Sequence, residues 1–123
     1  MTDQVPANRG TAVVERYLDR IVARDWDAVA TCLAEDVVRV GPFGDLYTPR
    51  APYLAFLSEL MPSLEGYSMH VERIFGTDRL VVAELSETVS LDGTPVETPE
   101  SLVFDLDDDG LISHISIYIQ RRP

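Results

Sequence analysis

At 123 residues, 46% of them hydrophobic, the chain has the length of one domain and the apolar content for a core, which excludes a wholly disordered polymer. Its 10 basic residues against 21 acidic ones give a net charge of −11. That balance lacks the clustered Lys and Arg that bind phosphate backbones or anionic membranes, so neither nucleic acid nor membrane is an expected partner. The single cysteine, Cys32, cannot form an internal disulfide, and Met1–Gly10 lacks a signal-peptide pattern; both point to a reducing cytoplasm.

Residues 1–10, with Pro6 and Gly10, read as a loose tail ahead of a single domain over 11–123. Val13, Val14, Tyr17, Leu18, Ile21 and Val22 then recur at helical spacing and predict a first helix with one apolar stripe. Asp25 is the N-cap expected for a second helix, which turns Trp26, Val29, Ala30 and Leu33 inward. Val37–Val40 predicts a short isolated strand, ended by Gly41, Pro42 and Gly44. A third helix carries Tyr53, Phe56, Leu57, Leu60 and Met61 on one face, with Pro62 just past its end.

After Gly66 the pattern changes to alternation. Four strands are separated by Gly76-Thr77-Asp78, by Asp92-Gly93 and by Asp107-Asp108-Asp109-Gly110, and Asp-Gly is a strong two-residue hairpin signal. Helices followed by hairpins define an α+β fold with a mainly antiparallel sheet.

Alternation also sorts each strand into faces. From Leu80 to Leu91 the odd positions are apolar except Glu87; in the next strand the even positions Val96, Leu102, Phe104 and Leu106 are apolar, with Glu100 among them. A two-residue turn at Asp92-Gly93 pairs Leu91 with Thr94, hence Leu85 with Glu100 and Glu87 with Thr98. The two glutamates become diagonal neighbours, about 7–8 Å apart at the backbone. The second hairpin places Ile117 opposite Glu100. Two carboxyls in an apolar enclosure separate their pKa values, as general acid–base chemistry requires. The alternative is that both reach water, or that a cation such as Arg39 holds each in a purely structural pair.

Family likeness rests on Ala12 to Leu18, Arg24-Asp25-Trp26-Asp27, Ala34-Glu35-Asp36 and Gly41-Pro42-Phe43-Gly44, which together resemble the opening of bacterial ketosteroid isomerases. Asp109-Gly110-Leu111-Ile112, leading into the last strand, resembles SnoaL-like polyketide cyclases and limonene-epoxide hydrolases. All belong to the NTF2-like superfamily. The resemblance implies a cone: three N-terminal helices packed on a curved sheet around an apolar pocket, with homodimers formed through the outer face of the sheet.

It also implies roles. Tyr17 falls where the isomerases hydrogen-bond the developing enolate, Gly41 where they carry their aspartate base, and Leu102 (or Ser101) where they carry a second oxyanion donor. Against the epoxide hydrolases, Glu87 matches one aspartate, Leu85 replaces an arginine, and Ile117 replaces the aspartate that activates water. Arg39 and Glu100 are the candidates to supply the missing cation and base.

The site expected is therefore Glu100 as general base, Glu87 as acid or its partner, and Tyr17 or Arg39 stabilising negative charge. Trp26, Tyr53, Phe56, Val71, Leu85, Leu102, Phe104, Ile115 and Ile117 would line a pocket for a small hydrophobic metabolite of polyketide, terpenoid or steroid-like type. Such chemistry needs no metal or organic cofactor. The rival expectation is a non-catalytic ligand-binding or association module of the same fold. Asp105-x-Asp107-x-Asp109-Gly110 mimics the start of a calcium loop, but Ser116 stands at its twelfth position, so an acidic hairpin turn is expected. His70 and His114 fall on outward faces without metal-ligand spacing.

Overall fold

A computed structural model describes residues 8–120. Helix α1, Arg9–Val22, is capped by Asn8, whose side chain accepts the Thr11 N–H at 2.8 Å. The helix thus begins inside the stretch expected to be a tail, and residues 1–7 lie outside the described part. Its early start has a packing reason. Gly10 is buried against the turn at residues 77–78, where a Cβ would lie 2.2 Å from the Thr77 carbonyl oxygen. Helix α2, Trp26–Cys32, is capped as expected by Asp25, which accepts the Ala28 N–H at 3.2 Å. Helix α3, Arg50–Leu60, runs into a 3-10 turn at Met61–Ser63. No helix among the described residues is long and apolar enough to cross a membrane.

Six strands form one sheet: β1 Leu33–Val40, β2 Leu46–Tyr47, β3 Ser68–Gly76, β4 Leu80–Leu91, β5 Thr94–Leu106 and β6 Ile112–Ile119, in the order β2-β1-β6-β5-β4-β3. Every neighbouring pair is antiparallel except β1 with β6, which is parallel. The α+β cone is therefore present. Strand β1, however, is neither short nor isolated: it starts at Leu33 and lies between β2 and β6. Glu35 and Asp36, poor strand formers, obscure its first half; they sit exposed at a register shift between Leu33 and Val38.

The β4–β5 hairpin turns on Asp92 and Gly93, both at positive φ (52° and 80°), as a tight type I′ connection demands. Its register matches the alternation argument: Leu91 pairs with Thr94, Glu87 with Thr98 and Leu85 with Glu100. The next hairpin differs. A connection over 107–111, one residue longer than the Asp107–Gly110 turn, and an irregularity between Asp105 and Leu106 together set Glu100 opposite Ile119, and Ile117 opposite Leu102. Ile117 is therefore the diagonal neighbour of Glu100, not its direct partner.

The core lies between the helices and the inner sheet face, where Val14, Tyr17, Val29, Leu33, Val37, Val81, Phe104, Ile112 and Ile115 are almost wholly buried. The acidic turn spends its first aspartate on the backbone: Asp107 Oδ1 accepts the N–H groups of Asp109 and Leu111, each at 2.9 Å. Among the described residues no group of His, Cys, Asp and Glu is arranged to hold a metal ion.

Candidate active site

Between α1, α3 and the inner face of the sheet lies a cavity of about 130 Å³. Helix α1 contributes Tyr17, Leu18 and Ile21; α3 and the turn after it contribute Tyr53, Phe56, Leu57, Leu60, Met61 and Leu64. The sheet contributes Arg39, Met69, Glu87, Glu100, Leu102 and Ile117. One wall is thus aliphatic, while the polar groups gather where the sheet meets Tyr17 and Tyr53.

The two carboxyls meet there. Glu100 is largely buried, and burial is the main cause that lifts its pKa to about 9; the hydrogen bond to Glu87 and the charge of Glu87 add to the rise, and Arg39 opposes it. At neutral pH Glu100 is therefore a carboxylic acid hydrogen-bonded to Glu87. Glu87 also accepts a hydrogen bond from the Tyr67 hydroxyl. Burial first, then the Glu87 charge, raises the pKa of Tyr67, so it remains a donor.

A second pair of hydroxyls faces the carboxyls. Tyr17 and Tyr53 hydrogen-bond to each other, and both side chains are almost fully buried. Burial is the main cause that raises both phenols, and the guanidinium of Arg39 opposes it at each. The Tyr17 ring is set edge-on against Phe104, with centroids 5.7 Å apart. Arg39 is fixed from three sides: Nη1 bonds Asp45 Oδ2 at 2.6 Å, and its guanidinium carbon lies 5.3 Å from the Phe56 ring centroid and 5.7 Å from that of Tyr47. Those two rings stack on each other at 3.9 Å. Its Nε is buried and, among the described residues, has no hydrogen-bond partner.

Of the residues singled out in the sequence, the cavity brings together Tyr17, Arg39, Tyr53, Phe56, Glu87, Glu100, Leu102 and Ile117. Five others lie elsewhere. Leu85, Phe104 and Ile115 are core residues behind the wall, and Trp26 is half-buried against the core. Val71 is 37% exposed in an open groove of about 770 Å³ between α1 and β3, because β3 is the sheet edge and α1 does not cover it fully. That groove is larger than the cavity but carries solvent-facing charges such as Glu15, Arg16 and Arg20. The chemistry converges on the smaller space. Sequence reasoning missed Tyr67, although alternation through Tyr67, Met69 and Val71 puts it on the inner face; the Gly66 turn beside it hides the pattern.

Comparison with known proteins agrees with this architecture. The family model described as "SnoaL-like domain" matches residues 14–115. The chain belongs to the SnoaL-like domain family, within the NTF2-like superfamily. Among solved structures, a candidate ketosteroid isomerase from Kribbella flavida DSM 17836 is similar over 94% of this chain and 80% of its own, with TM-score 0.81 and 23% identity. A candidate SnoaL-like polyketide cyclase from Jannaschia sp. CCS1 has TM-score 0.81 at 16% identity, covering 98% of this chain and 92% of that one. An LEH-like epoxide hydrolase of M. tuberculosis has TM-score 0.78 at 20% identity, covering 91% and 83%. At these identities the likeness is one of fold. No curated protein matches the chain.

Proposed function

We propose that the protein is an acid–base enzyme of the isomerase, cyclase or epoxide-hydrolase type, acting on a small, largely apolar metabolite. The observation that carries this reading is the Glu87–Glu100 pair, one proton shared between two carboxyls at the wall of an apolar cavity. In this reading the roles expected from sequence are exchanged. Glu100, raised to about 9, is the acid that protonates an oxygen. Glu87, the acceptor of both hydrogen bonds, is the base that removes a proton from carbon or water. Afterwards the proton on Glu87 returns to Glu100 along their hydrogen bond, and the pair is reset. The Tyr17–Tyr53 pair and Arg39 stabilise negative charge developing on the substrate oxygen.

Proton exchange tests this. The protein is incubated in D₂O with a panel of small ketones and epoxides, and α-deuteration and ring opening are followed by NMR. Turnover of any member that is lost in both Glu87→Gln and Glu100→Gln supports the reading. If no member turns over, yet ligands bind equally to the parent and both variants, the protein is a binding module. We also propose a homodimer formed through the outer sheet face.

A further inference from the structure

We propose that Asp45 is a positioning residue for the acid–base site: it holds the Arg39 guanidinium away from Glu87 and Glu100, and so leaves the two carboxyls the proton they share. This rests on the acid–base reading only in treating the pair as the chemical centre.

The loop after β1 is folded around the Asp45 carboxylate. Gly41 has no side chain where that carboxylate sits, its N–H donates to the Asp45 carbonyl at 2.8 Å, and the Phe43 N–H donates to Asp45 Oδ1 at 3.4 Å. Gly44, at a φ of 78°, makes the turn that brings Asp45 back beside Arg39. Oδ2 then accepts from Nη1 at 2.6 Å. Asp45 lies outside the cavity lining, and its side chain is 41% exposed, so it reaches the pair through Arg39.

Arg39 has two places to find an anion. It lies in the cavity wall with Tyr17, Tyr53, Glu87 and Glu100, yet among the described residues its one ion pair is with Asp45. Its side chain is 12% exposed, with Phe56 and Tyr47 beside the guanidinium, so water cannot fully replace a lost partner. A buried cation that loses its anion is costly, and the carboxyls left in the cavity wall are Glu87 and Glu100. An opposite charge within about 4–6 Å lowers a carboxyl pKa by roughly 1–3, so an arginine that turned to the pair would favour two ionised carboxylates. The proton that makes Glu100 an acid would then be lost. Arg39 already opposes the rise at Glu100 while paired elsewhere. The other titratable groups facing Glu100 are Glu87 on β4, Tyr67 ahead of β3, Tyr17 on α1 and Tyr53 on α3; Arg39, on β1, is the cation among them.

Glutamate carboxyl ¹³C titration tests this, because it reads Glu100 with or without turnover. Asp45→Asn keeps the shape of the side chain and removes its charge. Gly41→Ala displaces the same carboxylate without altering it, which covers the case where the first variant does not fold. In either variant the Glu100 midpoint is expected about one to three pH units below that of the parent. Adding Arg39→Gln to Asp45→Asn is expected to abolish the fall, since the cation that causes it is gone. The basic limb of the proton-exchange profile should move down with the midpoint. A midpoint that stays in place or rises in both Asp45→Asn and Gly41→Ala would overturn the proposal, as would a fall that persists without Arg39. If the midpoint falls as expected while the parent turns over no ketone or epoxide, the acid–base reading fails alone.

Discussion

Asp45 sets its carboxylate where a side chain on residue 41 would begin: a Cβ on Gly41 would lie 2.3 Å from Asp45 Oδ1 and 2.4 Å from Oδ2. The backbone closes the same loop, with the Gly41 N–H donating to the Asp45 carbonyl at 2.8 Å. Position 41 is where the resemblance to ketosteroid isomerases places an aspartate base. Here a carboxylate four residues later fills that space and turns to a guanidinium. Arg39 is thereby fixed, and in the proposed mechanism acid–base work falls to the two glutamates of the sheet.

Gly41→Ala should therefore release Arg39 without unfolding the chain. The atoms nearest the new methyl are the Asp45 carboxyl group, on a short side chain that can rotate away. Asp45 is 41% exposed but Arg39 only 12%, so loss of the ion pair leaves a buried guanidinium short of a partner and should cost about 1–3 kcal/mol in urea unfolding. Its carboxyl is the sharper readout. Burial would raise it, but the hydrogen bond from Arg39, backbone donors and the Arg39 charge outweigh that and hold it below the usual range. Carboxyl ¹³C titration should show it return to the ordinary range in Gly41→Ala.

Glu100 makes stability depend on pH. Burial lifts its folded pKa to about 9 from the ordinary 4.5, so the folded state binds the proton more tightly than the unfolded chain. The stabilisation is complete below the unfolded pKa and is lost as pH rises through the folded one. Arg39, Tyr17, Tyr53, Tyr67 and Glu87 surround the group. Glu100→Gln mimics the protonated form. It should match the parent at about pH 4 and exceed it by on the order of a few kcal/mol near pH 9, measured by urea midpoints across the range. A constant difference at all pH values would show that Glu100 is not the group that holds the proton.

Much of this site was legible because strands are periodic. Asp92-Gly93 fixed the β4–β5 register, and that register alone made Glu87 and Glu100 neighbours. Where periodicity was interrupted the reading slipped. A connection one residue longer than the expected turn, together with the irregularity at Asp105 and Leu106, moved Ile117 from beside Glu100 to the diagonal, and the shift after Leu33 concealed half of β1. Cavity walls are a different matter. Phe104, Ile115 and Leu85 lie on the correct face, yet the close approach of α1 and α3 puts them behind the lining. Helix placement over a sheet is a property of tertiary packing, which alternation does not encode. The Asp45–Gly41 contact was equally hidden, since it depends on the path of one loop.

The paired phenols allow a double-mutant cycle. Tyr17 and Tyr53 hydrogen-bond to each other in a buried setting, so either single Phe variant leaves one hydroxyl without that partner. Each should cost about 1–3 kcal/mol, and the double variant clearly less than the sum. If the pair also steadies charge on a substrate oxygen, each single variant should slow proton exchange by about 10²–10³-fold. Additive losses in stability would mean that the two hydroxyls do not depend on each other.

On the outer sheet face Tyr118 is 61% exposed and Phe75 48% exposed, flanking the half-buried Val82 and Val103. Light scattering after gel filtration is expected to give twice the chain mass for the parent. Tyr118→Glu should shift it to the monomer with the fold intact by circular dichroism. A monomeric parent at micromolar concentration would remove the dimer.

Tyr67 is the residue through which the pair can be tuned without touching either carboxyl. Its hydroxyl donates to Glu87, which also accepts from Glu100. Tyr67→Phe removes only that oxygen and should destabilise by about 1–3 kcal/mol, because the bond is partly buried and ends on a carboxylate. With one donor fewer on Glu87, its carboxylate accepts the Glu100 proton more strongly, so the basic limb of the proton-exchange profile, set by Glu100 at about 9, should move to higher pH while substrate affinity stays the same. A purely structural role would lower stability and leave the limb in place. The limb, and not the rate alone, is the measurement that separates the two.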